Sequence, residues 1–221
     1  MLIVIPARGG SKGIPRKNLA LCGGMTLLDR AIRVGRAVSQ HVIVTTDDDE
    51  IAALARQHGV GVRMAYPPKY HGDTSSALDV WRDAWGATRL RDFELSAYLE
   101  PTCPERTPEM VRAAAETLRL APHVDVMVAV TVVPRRYHGD KQIDALGEPL
   151  GPDCVPRQAL TPRYIRSGAF YIARREAILG AKPGLFPNRR TWLWEHADMV
   201  NIDTPADLEE ADRRLTAEVA T

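Results

Sequence analysis

Short apolar runs alternate with stretches of helical period along most of the chain. The runs are rich in β-branched residues, which predicts buried strands, whereas apolar positions three and four residues apart predict amphipathic helices. Alternation of the two is typical of βαβ units, and it predicts an α/β protein with a mostly parallel central sheet. The predicted strands cover residues 2–5, 41–46, 61–64, 95–99 and 124–133, and the predicted helices cover 26–37, 49–58, 74–87 and 108–120.

The pattern changes after the fifth predicted strand. Residues 134–163 are rich in proline, glycine and charge, which predicts a small excursion from the sheet, either a hairpin or a subunit contact. Further strands are predicted at 168–173 and 199–202. The closing helix has a well-marked start, because Thr204 can cap its first turn and Pro205 suits its first position.

Charge and composition exclude several classes of protein. Of the 221 residues, 29 are Lys or Arg and 28 are Asp or Glu, so a formal net charge of +1 creates no field that would gather nucleic acid or an anionic membrane. The first apolar run is too short for a secretory signal, and no run approaches membrane-spanning length. The cysteines Cys22, Cys103 and Cys154 are too scattered for a disulfide framework or a metal site, so we expect reduced thiols that pack. One cytoplasmic domain spanning residues 1–221 is therefore expected.

A basic, glycine-rich loop follows the first predicted strand. The segment "IPARGGSKGIPRKN" places glycines at positions 9, 10 and 13 among Arg8, Lys12 and Lys17. Glycines allow backbone N–H groups to turn toward an anion, and the cations add charge that a polyphosphate would neutralise. The spacing matches neither the Walker A loop nor the Gly-x-Gly-x-x-Gly fingerprint. A phosphate-binding loop is predicted, and a solvated basic turn is the alternative.

This loop resembles the signature loop of the acylneuraminate cytidylyltransferases, or CMP-sialic acid synthetases, and is more loosely similar to that of the CMP-Kdo synthetases. Five further blocks resemble the family in the same order along the chain. The resemblance implies a Rossmann-like α/β nucleotidyltransferase fold, a homodimer, and transfer of CMP from CTP to an acidic sugar with release of pyrophosphate. The blocks are residues 43–60, 72–77, 99–107, 156–172 and 201–211.

The resemblance also implies roles for individual residues. Arg8, Lys17 and Asp203 fall on positions expected to be catalytic, and Asp203 with Asn201 on positions that bind Mg²⁺ or Mn²⁺, for which oxygen ligands are suited. Glu100, Lys141, Arg157 and Tyr164 are implied on the acceptor side. The implied CTP-binding residues are Arg8, Gly9, Gly10, Ser11, Lys12, Lys17, Asn18, Thr74 and Ser75.

Four departures from the family pattern cluster toward the acceptor half, and one is the absence of the family's arginine after the third strand, where the chain has Tyr66 and Pro67. Glu100 stands where the family has glutamine, Asn201 where it has the first aspartate of Asp-Ile-Asp, and Ser167 where it has asparagine. A carboxylate beside an acidic substrate favours an acceptor other than plain N-acetylneuraminate. We therefore expect a different nonulosonic acid, or alternatively a smaller acid such as a phosphonate.

Two other classes of protein remain as alternatives. An NAD-dependent oxidoreductase would share the α/β pattern but would need the spaced glycine fingerprint. A non-catalytic nucleotide-binding module is favoured only by Glu100 and Asn201. The remaining polar clusters have structural interpretations: Asp47, Asp48 and Asp49 are expected to cap a helix rather than bind a metal.

Overall fold

The computed structural model describes residues 1–11, 13–64, 76–86, 93–133, 145, 161–180, 190–196 and 199–219. The predicted excursion at 134–163 lies almost entirely outside these residues. The strands are β1 Leu2–Pro6, β2 Leu21–Cys22, β3 Met25–Thr26, β4 Val42–Thr46, β5 Gly61–Met64, β6 Leu95–Tyr98, β7 Val126–Val132, β8 Tyr164–Arg174 and β9 Thr191–Glu195. The helices are α1 Leu27–Val38, α2 Asp49–Gln57, α3 Ala77–Gly86, α4 Pro108–Leu120, α5 Arg175–Leu179 and α6 Pro205–Val219, with a 3₁₀ turn at Lys17–Leu19.

Seven of the described strands form one sheet in the order β5-β4-β1-β6-β8-β7-β9. All neighbours in this sheet are parallel except β8, which runs antiparallel to both β6 and β7. The predicted α/β fold with a mostly parallel central sheet is therefore confirmed. Strands β2 and β3 form a separate antiparallel ribbon that the sequence pattern did not predict.

Helices cover both faces of the sheet. Ile3 and Ile5 of β1 pack into a core with α1, α2 and α4, while Leu2 and Val4 point to the opposite core, formed with α3 and α5. A strand buried on both faces is apolar at every position, which explains its continuous rather than alternating apolar sequence. The described helices include none long and apolar enough to cross a membrane.

Side chains cap several helix starts, and of the three described next only the cap at Thr204 was predicted. Thr26 and Asp29 form a reciprocal capping box at the start of α1, and Thr107 accepts a hydrogen bond from the Met110 amide at the start of α4. The Oγ1 of Thr204 accepts from the Asp207 amide, as expected for the start of α6. Each cap joins residues three apart in the chain, which is why the sequence could indicate the one at Thr204.

The strand predicted at 199–202 is wrong. This segment has no strand structure; the Ile202 amide donates to the Thr102 carbonyl at 2.9 Å, and the Val200 amide donates to Glu105 Oε2 at 2.6 Å. Ile202 is fully buried in a small core with Ile14 and Leu27, so the apolar residues that suggested a strand instead fix a loop against the glycine-rich segment. The strand of this region is β9, which pairs in parallel with β7.

Candidate active site

The carboxyl ends of β1, β4 and β6 lie next to one another at one edge of the sheet. The glycine-rich loop follows β1, Asp47 and Asp48 follow β4, and Glu100 follows β6. Strand β1 lies between β4 and β6, and the sheet continues from β4 to β5 on one side and from β6 to β8 on the other. The strand order therefore reverses direction at β1. Ligands of open α/β sheets bind in the crevice at such a reversal, and this edge is therefore the candidate active site.

The glycine-rich loop is held by the segment after β4. The Gly9 amide donates to Asp47 Oδ1 at 2.8 Å, and Asn18 Nδ2 donates to the Arg8 carbonyl at 2.9 Å. Arg16, with a left-handed φ of 56°, donates from Nη1 to Asp48 Oδ2 at 2.6 Å. The Gly9 amide is therefore occupied by a side chain of the protein, and the loop has a defined shape.

Asp48 caps helix α2, as predicted. Its Oδ1 accepts from the amides of Glu50 and Ile51, both at 3.0 Å. The Ile51 amide, together with the Arg16 guanidinium, lowers the pKa of Asp48 below its usual value. Asp48 thus serves the helix start and the loop, which agrees with a structural interpretation of the aspartate cluster.

The glycines of the loop differ in the space around them. A Cβ at Gly9 would lie 2.5 Å from Asp48 Oδ2, and a Cβ at Gly13 would lie 2.4 Å from the backbone oxygen of Asp203. A Cβ at Gly10 would meet no described atom within 4 Å. The loop is therefore pressed against its neighbours at Gly9 and Gly13 and is open at Gly10, where an anion can approach the backbone.

We expect Gly13→Ala to destabilise the protein. The new methyl group would overlap a backbone oxygen that a side-chain rotation cannot move, which costs about 1–3 kcal/mol by the general cost of overpacking. Gly10→Ala is the matched control and should change the free energy of unfolding by less than about 0.5 kcal/mol. Urea denaturation of both variants measures this difference, and equal stabilities would contradict the close approach of the loop to Asp203.

Lys17 and Asp203, predicted as catalytic, lie in direct contact. The Nζ of Lys17 donates to the Ile202 carbonyl at 2.7 Å and to Asp203 Oδ1 at 3.2 Å. The Lys17 side chain is 14% exposed and that of Asp203 is 72% exposed. The ammonium group is thus largely enclosed, while the Asp203 carboxylate remains accessible at the opening of the crevice.

Two of the departures from the family pattern, Glu100 and Asn201, are neighbours in space. Gly168 of β8 has a left-handed φ of 75°, and a Cβ there would lie 2.8 Å from Glu100 Oε2 and 3.2 Å from Asn201 Oδ1. Asn201 Oδ1 is buried and has no hydrogen-bond partner among the described residues. Burial raises the pKa of Glu100 above its usual value, against the attraction of Arg106 and Arg166.

Two arginines of this region were missed by the sequence analysis. Arg106 is 4% exposed, and its Nη1 donates to the carbonyls of Glu100 at 2.9 Å and Ala169 at 2.7 Å, which joins the end of β6 to β8. Arg166 is exposed on β8, hydrogen-bonds to Tyr171 and attracts Glu100. The run of cations around Tyr164 is the only sequence signal that could have indicated Arg166, whereas nothing marked Arg106 as buried.

The other predicted site residues have varied positions. Arg8 and Gly10 are exposed on the loop, and Ser11 is half-buried there. Tyr164 is 40% exposed at the start of β8, where it pairs with Val132. The remaining predicted residues lie outside the described part of the chain: Lys12, Thr74, Ser75, Lys141 and Arg157.

Residues 2–91 match the model of a family described as cytidylyltransferase. The chain is 29% identical over 216 residues to the CMP-N,N'-diacetyllegionaminic acid synthase of Legionella pneumophila, covering 94% of this chain and 92% of that protein. It is 31% identical over 215 residues to the N-acylneuraminate cytidylyltransferase A of Danio rerio, covering 93% of this chain but only 48% of that longer protein.

Solved structures support the fold. A structure of CMP:2-keto-3-deoxy-manno-octonic acid synthetase complexed with CTP matches with a TM-score of 0.75 and 21% identity, covering 98% of both chains. A 4-diphosphocytidyl-2C-methyl-D-erythritol synthase from Anaerococcus prevotii matches with a TM-score of 0.65 and 13% identity, covering 100% of this chain and 99% of that one. These structures confirm the predicted fold, and the sequence matches confirm the predicted resemblance: the chain is similar to the cytidylyltransferases.

Proposed function

We propose that the protein transfers CMP from CTP to a nonulosonic acid, with release of pyrophosphate. The observation that carries this proposal is the contact between Lys17 and Asp203 beside an open, basic glycine loop at the reversal of strand order. The names of the relatives, a legionaminic acid synthase and an acylneuraminate cytidylyltransferase, support the nucleotide and the class of acceptor.

The reaction requires charge to be neutralised around a phosphate. An oxygen of the acceptor attacks the α-phosphorus of CTP in line, the bond to the β-phosphate oxygen breaks, and pyrophosphate leaves. Negative charge that develops on the phosphate oxygens is stabilised by groups already positioned for it. Arg8 and Lys17 supply positive charge from the loop, and the backbone at Gly10 offers an open approach for a phosphate.

The proposal includes Mg²⁺ or Mn²⁺ at Asp203 and Asn201. The exposed carboxylate of Asp203 and the unpartnered Oδ1 of Asn201 are oxygen donors of the kind these ions prefer. Within the described ranges, no group of three or more His, Cys, Asp or Glu side chains is arranged to hold a metal ion. A site with few protein ligands suits Mg²⁺, which usually keeps several waters and binds substrate phosphates. When bound, the ion would polarise the phosphoryl oxygens.

Several further properties belong to the same proposal. The acceptor is expected near β8, where Tyr164 and Arg166 are exposed and where a cation can meet a sugar carboxylate. Lys141 and Arg157 keep their predicted roles toward the acceptor, and a homodimer remains the expected assembly. The free, buried thiols of Cys22 and Cys103 are compatible with a cytoplasmic location.

Pyrophosphate release tests the function directly. With Mg²⁺, we expect release that requires both CTP and a nonulosonic acid, and that falls to background when ATP replaces CTP. The acids to compare are N,N'-diacetyllegionaminic acid, N-acetylneuraminic acid, 3-deoxy-manno-octulosonic acid and a small phosphonate. A thermal-shift comparison of CTP with NAD provides the binding control. No release with any acid, combined with stabilisation by NAD and not by CTP, would contradict the proposal.

A further inference from the structure

Glu100 and Asn201 come together through contacts between distant segments. The Ile202 amide donates to the Thr102 carbonyl, which places the segment before α6 against the loop after β6. Gly168, which has no side chain, leaves the space into which Glu100 Oε2 and Asn201 Oδ1 both project. The two oxygens therefore border one small volume, although their residues are far apart in sequence.

The chemistry of this small volume is unusual for a protein interior. Both atoms that border it are oxygen acceptors, and Asn201 Oδ1 is buried with no hydrogen-bond partner among the residues that the structure describes. A buried acceptor left unpaired costs free energy, and so does a carboxylate removed from water, unless a cation or donor compensates. Arg106 and Arg166 offset part of the Glu100 charge, whereas Asn201 Oδ1 keeps no described partner, and a bound cation would complete this arrangement.

Asp203 and Lys17 belong to the same electrostatic environment. Asp203 repels the Glu100 carboxylate over distance and Lys17 attracts it, both less strongly than Arg106 and Arg166 attract it, and Lys17 contacts Asp203 directly. Arg106, the most buried cation nearby, has its Nη1 committed to two backbone carbonyls, and its Nε has no partner among the described residues. The oxygen ligands available in this cluster are therefore Glu100, Asn201 and Asp203.

We propose that Glu100 is the second carboxylate ligand of the divalent cation, with Asp203 as the first and Asn201 as a neutral oxygen ligand. This inference rests on the proposed function, because the cation is the one that accompanies CTP. Relative to the family pattern, the chain gains a carboxylate at position 100 and loses one at position 201, so the charge of this neighbouring pair is unchanged. Glu100 then acts on the metal, rather than on the choice of acceptor.

Binding of Mn²⁺ provides a readout that does not depend on turnover. Electron paramagnetic resonance would measure the free Mn²⁺ during titration of the whole protein with CTP present and no acceptor. Glu100→Gln is expected to weaken Mn²⁺ binding by about tenfold or more, in the range seen when metal sites lose supporting groups. Glu116→Gln, which removes an exposed carboxylate on α4, is the control and should bind Mn²⁺ like the wild type.

Exchanging the two side chains makes the test stricter. Asn201→Asp alone should tighten Mn²⁺ binding, because it adds a carboxylate to the cluster without removing one. The double variant Glu100→Gln with Asn201→Asp should restore binding to within about threefold of the wild type, since the charge of the pair is the same as in the natural chain. This rescue also excludes a simple folding defect as the cause of the single-variant effect.

Three outcomes would overturn the inference. If Glu100→Gln binds Mn²⁺ like the wild type but turns over N-acetylneuraminate better, Glu100 selects the acceptor instead. If Asn201→Asp does not tighten binding and the double variant is not rescued, Glu100 and Asn201 do not share a metal ion. If the wild type binds CTP but no Mn²⁺, the proposed metal site is refuted and the proposed function is not. If the wild type does not bind CTP, the proposed function itself is refuted.

Discussion

Asp203→Asn is expected to lower the rate of CMP transfer by about a hundredfold or more, as is typical when a group that stabilises developing charge is removed. The substitution replaces the exposed carboxylate that contacts Lys17 and that is proposed to bind the metal ion. Pyrophosphate release at saturating CTP and Mg²⁺ measures the effect, and excess EDTA should abolish the activity of the wild type.

Glu209→Gln provides the matched control for this experiment. Glu209 is exposed on α6, a short distance along the chain from Asp203, and its replacement also removes one negative charge. Its activity should equal that of the wild type. Full activity of Asp203→Asn, or of the wild type in excess EDTA, would refute the proposed role of Asp203.

Lys17→Ala is expected to lower kcat/KM for CTP by at least about tenfold, which corresponds to about 1.4 kcal/mol of lost transition-state stabilisation. The enclosed ammonium group is positioned by the Ile202 carbonyl and by Asp203, so its charge is directed into the crevice rather than into bulk solvent. Steady-state kinetics with varied CTP at saturating acceptor measure the loss.

Arg33→Ala controls for the removal of a positive charge elsewhere. Arg33 is exposed on α1, and its loss should leave the kinetics unchanged. Circular dichroism should show that both variants are folded. Wild-type kinetics in a folded Lys17→Ala protein would exclude Lys17 from the triphosphate site.

The parts of the fold that the sequence predicted correctly depend on local signals. Strands β1, β4 and β6 are short apolar runs, and each lies between two other strands of the sheet. Helices α1 and α4 begin after threonines whose hydroxyl groups cap them. The α/β fold with its mostly parallel sheet followed from these signals, and the resemblance to the cytidylyltransferases followed from the motif blocks. Errors arose where an apolar run was buried by distant contacts, as at Ile202.

The candidate site was only partly predictable for the same reason. Arg8, Gly10 and Lys17 are close in sequence, and the motif that contains them indicated a common purpose. The proximity of Glu100 and Asn201 depends on the register of β8 beside β6 and on the bond from Ile202 to Thr102, neither of which leaves a pattern in the sequence. Arg106 was missed because its guanidinium donates to the carbonyls of Glu100 and Ala169, which only the folded chain brings together.

The contact between the glycine-rich loop and the segment before α6 has a consequence for synthesis of the protein on the ribosome. Gly13 lies against the Asp203 backbone, Lys17 bonds to Ile202, and Ile14 is buried beside Ile202. Domains form from the amino terminus onward as the chain emerges. The glycine-rich loop emerges long before residues 202–203 are made, so we expect it to reach its final shape only after that later segment has left the exit tunnel.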